Sequence, residues 1–283
     1  MDFYHRLLEV DPPEKCALCR QGAPEERGHV HPRLVSRYIG KVTGSMNLRF
    51  SEAPLKRQQD TVRIRMLCKR CEAIFGGYEQ KFARMVLKPY FSQCDEVLTY
   101  DGDFHAFLLS VAWRALFLAS LMPESECHPY FPKDAMEQWR ASLDARKPEA
   151  GHYLFAVLDR DIKDGRIVRH PFLTRASLTY DICQGVEVFP DMKLIGMTSA
   201  FVYVQLGPLH LFAWAGEQRD WAGAPAAPLI PFRVTSARGA LAVHADIPDE
   251  LFYLLFRIRA VSAGKFSDAG VYDRPMQFGR IFR

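Results

Sequence analysis

The sequence has no long low-complexity tract and no internal repeat, which excludes a repeat array. Its first residues, MDFYHRLLEV, show no basic stretch followed by an apolar run. No secretory leader is therefore expected, and a cytoplasmic location is. An uninterrupted membrane span is also lacking. The most apolar stretch, Phe104 to Met122, approaches the required length, but it has His105 near its start and Arg114 in its middle. An arginine at a bilayer centre costs about 3 kcal/mol on insertion scales, so this stretch is expected to be a buried helix and no membrane partner is expected. Residues 93–283 contain no glycine-rich phosphate loop, no nucleophile elbow and no H-E-x-x-H, so that part offers none of the chemistries those motifs carry.

What is present reads as an ordinary globular chain. The apolar share is 48% and the charged share 25%, and 283 residues suffice for one large or two smaller domains. The net charge of +4 is unevenly distributed. Residues 1–92 hold 17 Lys and Arg against 10 Asp and Glu, whereas residues 93–283 hold 20 against 23. A basic N-terminal third suits a polyanionic partner, nucleic acid first, although a solvated basic surface would have the same composition.

Cysteine usage says more. Four of the seven cysteines form two C-x2-C pairs, Cys16 with Cys19 and Cys68 with Cys71. The other three, Cys94, Cys127 and Cys183, are isolated and expected to be core or surface thiols. Each C-x2-C turn sets two thiolates on one side of a tight loop, and two such turns complete the tetrahedron zinc prefers. A structural Zn2+ held by Cys16, Cys19, Cys68 and Cys71 is expected. With four thiolates its coordination shell is closed, so any chemistry must come from other residues.

Between the pairs, GHVHP reads as a short strand end stopped by Pro32. On a strand His29 and His31 would share a face. RLVSRYIGK reads as a short helix whose Arg33, Arg37 and Lys41, at i, i+4 and i+8, form a basic stripe suited to phosphates. TVRIRML alternates and reads as a strand entering the second pair. CEAIFGGYEQKFARMVLKPYF then reads as a helix starting at the metal. Ile74, Tyr78, Phe82 and Met85 lie on its apolar side, and Gly76-Gly77 is a weak point where it would kink or break. Glu79, two turns and about 10 Å beyond Glu72, reads as an ion-pair partner.

Cysteine pair, histidine strand, insert, strand, cysteine pair with glutamate, helix: in this order residues 14–90 resemble the HNH, or ββα-metal, endonucleases of treble-clef type with a four-cysteine zinc core. GHVHP resembles their SHIIP-like form, which implies that His29 is the general base. LCKRCE resembles their LCxxCE form, which implies that Glu72 ligates a catalytic divalent metal, Mg2+ or Mn2+. RQQD resembles the R-x-x-D-G of some bacterial members, making Asp60 the candidate for the middle position. GGYEQKFA and FLLSVAWRA resemble patterns of the same subgroup.

The chain departs from the pattern at Gly28, where many catalytic members carry an aspartate that ligates the metal. His31 or Asp60 would have to compensate. The resemblance implies hydrolysis of phosphodiester bonds in DNA, with nothing to separate DNA from RNA, and a role in bacterial defence. One chain carries one such site, so a duplex cut would need a homodimer or two successive nicks. The alternative is a zinc-stabilised module that binds nucleic acid or protein without cutting, in which Glu72 only caps its helix, His29 is structural and Asp60 is a turn residue.

The expected fold class is α+β: a small zinc-stabilised HNH-like module over residues 1–92, then a larger α+β domain over 93–283 with antiparallel strands. The latter would serve recognition, dimerisation or partner binding. Its expected elements are the Phe104–Met122 helix, an amphipathic helix at Lys133–Arg146, and strands in HYLFAVLD, ASLTYDICQGVEVF and AFVYVQLGPLHLFAWAG. In the last of these Gly207-Pro208 marks a hairpin. A closing helix is expected after Pro248.

Overall fold

A computed structural model describes residues 11–24, 28–43, 48–50, 53–58, 63–92, 97–121, 131–148, 153–158, 182–188, 200–215 and 233–242. Asp60, Cys94, Cys127 and the segment expected to form the closing helix lie outside these residues. The described architecture is mixed α+β. In chain order it comprises β1 (Gly28–His29), α1 (Arg33–Thr43), β2 (Leu48–Phe50), β3 (Ala53–Gln58), β4 (Arg63–Ile64) and α2 (Lys69–Phe82). A π-helical turn (Ala83–Leu87), α3 (Lys88–Ser92), β5 (Val97–Tyr100), α4 (Gly102–Ser120) and α5 (Lys133–Asp144) follow. Then come β6 (Tyr153–Leu158), β7 (Ile182–Val188), β8 (Ala200–Leu206), β9 (Leu209–Trp214), β10 (Arg233–Val234) and β11 (Gly239–Ala242).

Three small antiparallel sheets of two strands each, β1-β4, β2-β3 and β5-β11, accompany a five-stranded antiparallel sheet in the order β10-β6-β9-β8-β7. The hairpin marked by Gly207-Pro208 joins β8 to β9, with Leu206 opposite Leu209. Gly207 there takes φ +61°, a conformation that residues with a Cβ rarely adopt. The antiparallel β2-β3 pair lies in the insert between the cysteine pairs, where no strand is expected from the sequence pattern.

The helix expected to start at the second cysteine pair does so, but its irregularity lies elsewhere than expected. Helix α2 runs unbroken through Gly76 and Gly77, and the departure from α geometry comes at Ala83–Leu87. Packing explains the continuity, because the side chains facing the core are Cys71, Phe75 and Phe82, at i, i+4 and i+11. The Phe82 ring stacks on Phe107 at 4.2 Å between centroids, and Phe75 meets Trp113 edge-on at 6.1 Å. The buried stripe is thus rotated from the one the sequence indicated: Ile74, Tyr78 and Met85 pack at its margin and are only partly buried.

Helix α4 lies at the centre of the core. Asp101 caps it, accepting from the Asp103 amide at 3.0 Å, and residues on every side of it are buried, Arg114 included. It packs against α2, α5 and the five-stranded sheet. By length and composition it could cross a bilayer, but 83% of its most apolar window is buried inside the protein. Helix α5 buries Ala135, Trp139 and Leu143 and reaches the first cysteine turn, where Arg140 Nη1 donates to the Leu18 carbonyl at 2.6 Å.

Nothing lies within 4 Å of where a Cβ at Gly77 would stand, and this exposed residue sits inside a regular helix. Gly77→Ala should therefore stabilise the protein by up to about 1 kcal/mol, read as a rise of about 2 °C in the melting midpoint. A fall would mean that the helix needs the glycine.

Candidate functional site

The two cysteine turns meet. The first closes through hydrogen bonds from Arg20 N to Cys16 O (2.8 Å) and from Cys16 N to Gly22 O (2.9 Å), with Arg20 and Gly22 both at positive φ. A bond from Ala17 N to Met66 O (2.7 Å) ties it to the approach of the second. Cys68 is the N-cap of α2, and its carbonyl accepts the Glu72 amide at 3.0 Å. Cys71 and Glu72 therefore fall in the first helical turn, where the helix dipole favours negative charge.

The four sulfurs lie within 4.8 Å of one another, and three of the four residues are buried. Cys19 Sγ and Cys68 Sγ are 3.8 Å apart. That is the edge of a tetrahedron with metal–sulfur bonds of about 2.3 Å, and it is far too long for a disulfide, for which about 2.05 Å is required. Burial pushes the Cys16 and Cys71 thiols up. Burial also acts to raise Cys19, but hydrogen bonding from the Gln21 backbone and the neighbouring thiols outweighs it and brings Cys19 down to about 7. Arg70, exposed beside the cluster, is raised by its hydrogen bond to Cys19. A set of four sulfur donors, three of them on buried residues, is the chemistry of a structural zinc site. Among the described residues it is the one group of three or more His, Cys, Asp or Glu with ligand atoms so close together.

Beside this centre, β1 pairs antiparallel with β4, Gly28 opposite Ile64 and His29 opposite Arg63. Since β4 leads directly into Cys68 and α2, the histidine strand is held next to the start of the helix. The result is a close approach: a Cβ built on Gly28 would stand 1.9 Å from Glu72 Oε1 and 3.0 Å from its Cδ. The Glu72 carboxylate thus occupies the space where a side chain at position 28 would begin. Glu72 is half-buried, and its Oε1 has no hydrogen-bond partner among the described residues. Burial raises its pKa, the Arg114 charge lowers it and the Glu79 charge raises it. An unpartnered carboxylate oxygen in such a place is a ready acceptor for a cation or a donor group.

His29 is partly exposed, and its Nε2 accepts from Arg63 Nε at 3.1 Å. This requires a neutral imidazole with its proton on Nδ1. His31 behaves differently. β1 ends at His29, so strand alternation does not extend to His31, which is buried at 1% exposure. Burial, with the Arg114 charge, lowers its pKa to about 3. The basic stripe forms as expected: Arg33, Arg37 and Lys41 are all exposed along α1.

Two features carry weight that their sequence context did not announce. Arg63 stands against His29 because the strand register puts it there. Arg114, buried in α4, donates from Nη1 to the His29 carbonyl at 3.1 Å and to Glu79 Oε1 at 3.0 Å. Glu79 is thus an ion-pair partner, as its spacing from Glu72 indicated, and its counterpart lies 35 residues away in sequence.

No family model matches the chain, and comparison with curated proteins and with solved structures finds no match.

The purified protein should carry one zinc per chain. Cys71→Ser should lose it together with cooperative unfolding, because structural zinc contributes on the order of 10 kcal/mol at neutral pH. Elemental analysis beside a thermal melt checks both. His31 adds a pH signature. Unfolded it titrates at 6.5 and folded at about 3, so between these values the unfolded chain binds the extra proton. The stability contributed by neutral His31 is complete above about 6.5 and is lost as pH falls towards 3. Denaturant melts from pH 7.5 to 5.5 should show a slope that His31→Gln flattens.

Proposed function

We propose that the chain is a metal-dependent endonuclease of HNH type that hydrolyses phosphodiester bonds in DNA, with His29 as general base and Glu72 as a ligand of the catalytic metal. The observation that carries this reading is the contact of the Glu72 carboxylate with the backbone of Gly28, the residue before His29. Glu72 thus lies against the backbone of the residue next to His29, within a β-β-α arrangement anchored by four thiols. The same contact bears on the missing aspartate. A carboxylate from α2 fills the space that a residue-28 side chain would enter, so Glu72 supplies negative charge at the place where many family members draw it from the strand.

The chain's own groups suit the chemistry. Neutral His29 has a lone pair on Nε2 and can take a proton from an attacking water, as an imidazole does near neutral pH. Arg63, now hydrogen-bonded to that nitrogen, would turn to a phosphate oxygen when substrate arrives. The exposed Arg33, Arg37 and Lys41 would hold flanking phosphates. A divalent ion on Glu72, Mg2+ or Mn2+, would supply charge stabilisation at the scissile phosphate and the leaving oxygen. Glu72 Oε1, buried and unpartnered, fits that ion. In this reading His31, buried and neutral, supports the strand end.

A second reading is favoured by one observation. Apart from the thiol cluster, no three potential metal-ligand atoms gather among the described residues, which suits a zinc-stabilised module that binds nucleic acid without cutting. Such a module would bind with strong salt dependence and show no metal-stimulated cleavage.

A supercoiled-plasmid nicking assay with Mg2+, Mn2+ and EDTA separates the two. Cutting should require the divalent ion, fall by about 100-fold or more in His29→Ala and vanish in Glu72→Ala, with zinc retained in both. Undiminished cutting in His29→Ala refutes the base assignment. Arg63→Ala should raise KM about tenfold through a lost charged hydrogen bond to phosphate and leave kcat little changed.

A further inference from the structure

A fully buried arginine in the middle of an apolar helix is expensive, and each of its contacts points to what it is there to hold. Arg114 is 2% exposed and lies on α4, outside the β1-β4-α2 arrangement that carries His29 and Glu72. Its Nε donates to the Ser110 carbonyl within its own helix at 3.3 Å, and its guanidinium carbon stands 5.3 Å over the Phe75 ring of α2. Nη1 serves two acceptors at once, the His29 carbonyl on β1 and Glu79 Oε1 on α2. Nη2 is buried with no partner among the described residues. One planar cation therefore joins three elements: the strand bearing the proposed base, the helix bearing the proposed metal ligand, and α4.

A two-residue strand such as β1 has little of its own to fix its position. Its pairing with β4 covers only Gly28 and His29, and β1 runs directly into the bend at His31. The bond from Arg114 to the His29 carbonyl grips the backbone of the very residue whose imidazole must be aimed. Its anchor at the other end, Glu79, is two turns along the helix from Glu72. The rigid guanidinium fork thus sets the distance between His29 and α2, a task for which a flexible ammonium is poorly suited.

We propose that Arg114 is a positioning residue for this site, locking the His29 backbone to α2 through Glu79, so that the site is complete only when α4 is packed against it. The inference rests on the nuclease reading above, and its test has a readout that does not.

The informative variant is the double substitution Arg114→Met with Glu79→Gln. It removes both charges, so neither is left buried alone, and such replacements are commonly tolerated. The double variant should keep its zinc and melt within about 3 °C of the wild type. Its kcat for plasmid nicking should nevertheless fall about 100-fold with KM nearly unchanged, as misplacement of a reacting group does. Arg114→Lys should retain part of the activity. Cutting by the double variant within about twofold of wild type would overturn the proposal. If the double variant does not hold zinc, Arg114→Lys decides: a selective fall in kcat supports the role, and wild-type cutting overturns it.

Should the wild type fail to cut at all, the nuclease reading fails, but the positioning role is still decided by NMR. The His29 ring resonances, identified by their loss in His29→Ala, should shift in the Arg114 variants while those of buried His210 stay in place. Unchanged His29 resonances would overturn the proposal.

Discussion

Everything in the N-terminal part depends on the meeting of four sulfurs. Cys16 and Cys19 stand about fifty residues from Cys68 and Cys71, and neither C-x2-C turn has a core of its own to fold around. Once the two turns converge, three consequences follow from short covalent distances. β4 ends where the second turn begins, so its partner β1 is held close by. α2 starts at Cys68, so its first turn is fixed in place and direction. Glu72, directly after Cys71, then lies against the strand, and Gly28 is the residue that makes room for it. A cluster with no open coordination position thus governs the site without taking part in it.

The rest of the fold secures that arrangement with charge as well as with apolar packing. Arg140 from α5 grips the Leu18 carbonyl in the first cysteine turn, and Arg114 from α4 grips the His29 carbonyl. Both helices lie beyond residue 92, and among the described residues one buried cluster includes side chains from Cys16 to Leu241. A buried arginine is weak evidence for stability, since desolvation can cancel its attraction to a partner. Its value is geometric: an arginine fork holds backbone carbonyls at set distances, which Phe82 stacked on Phe107 cannot do. The same charge accounts in part for the depressed pKa of His31, and it opposes the effect of burial on Glu72.

Much of this was legible in the chain because the signals were local. Two C-x2-C pairs set ligand spacing by themselves. The Gly207-Pro208 turn, the basic i, i+4, i+8 row of α1 and the amphipathic run at Lys133 each depend on neighbours a few residues away, whereas of the alternating TVRIRML only Arg63 and Ile64 form strand among the described residues. Gly76-Gly77 misled for the opposite reason. Glycine weakens an isolated helix, but here Phe75 and Phe82 are packed against α4, and tertiary burial outweighs a propensity cost of about 1 kcal/mol per residue. His31 also departs from the local pattern, because it lies two residues past the end of β1, where strand alternation no longer applies.

By itself the sequence determined the thiol donor set, the order of strand and helix around it, the basic face of α1 and the antiparallel character of the later strands. These are consequences of spacing and periodicity, which a linear chain carries in full. The tertiary structure alone decided that Glu72 lies on Gly28, that Arg63 faces His29, and that Arg114, which the sequence marked only as a charge unsuited to a bilayer, ties His29 to Glu79. Those contacts join residues between 34 and 85 positions apart. They exist only because packing around the cysteine cluster and α4 brings distant segments to one place, and no local pattern encodes that.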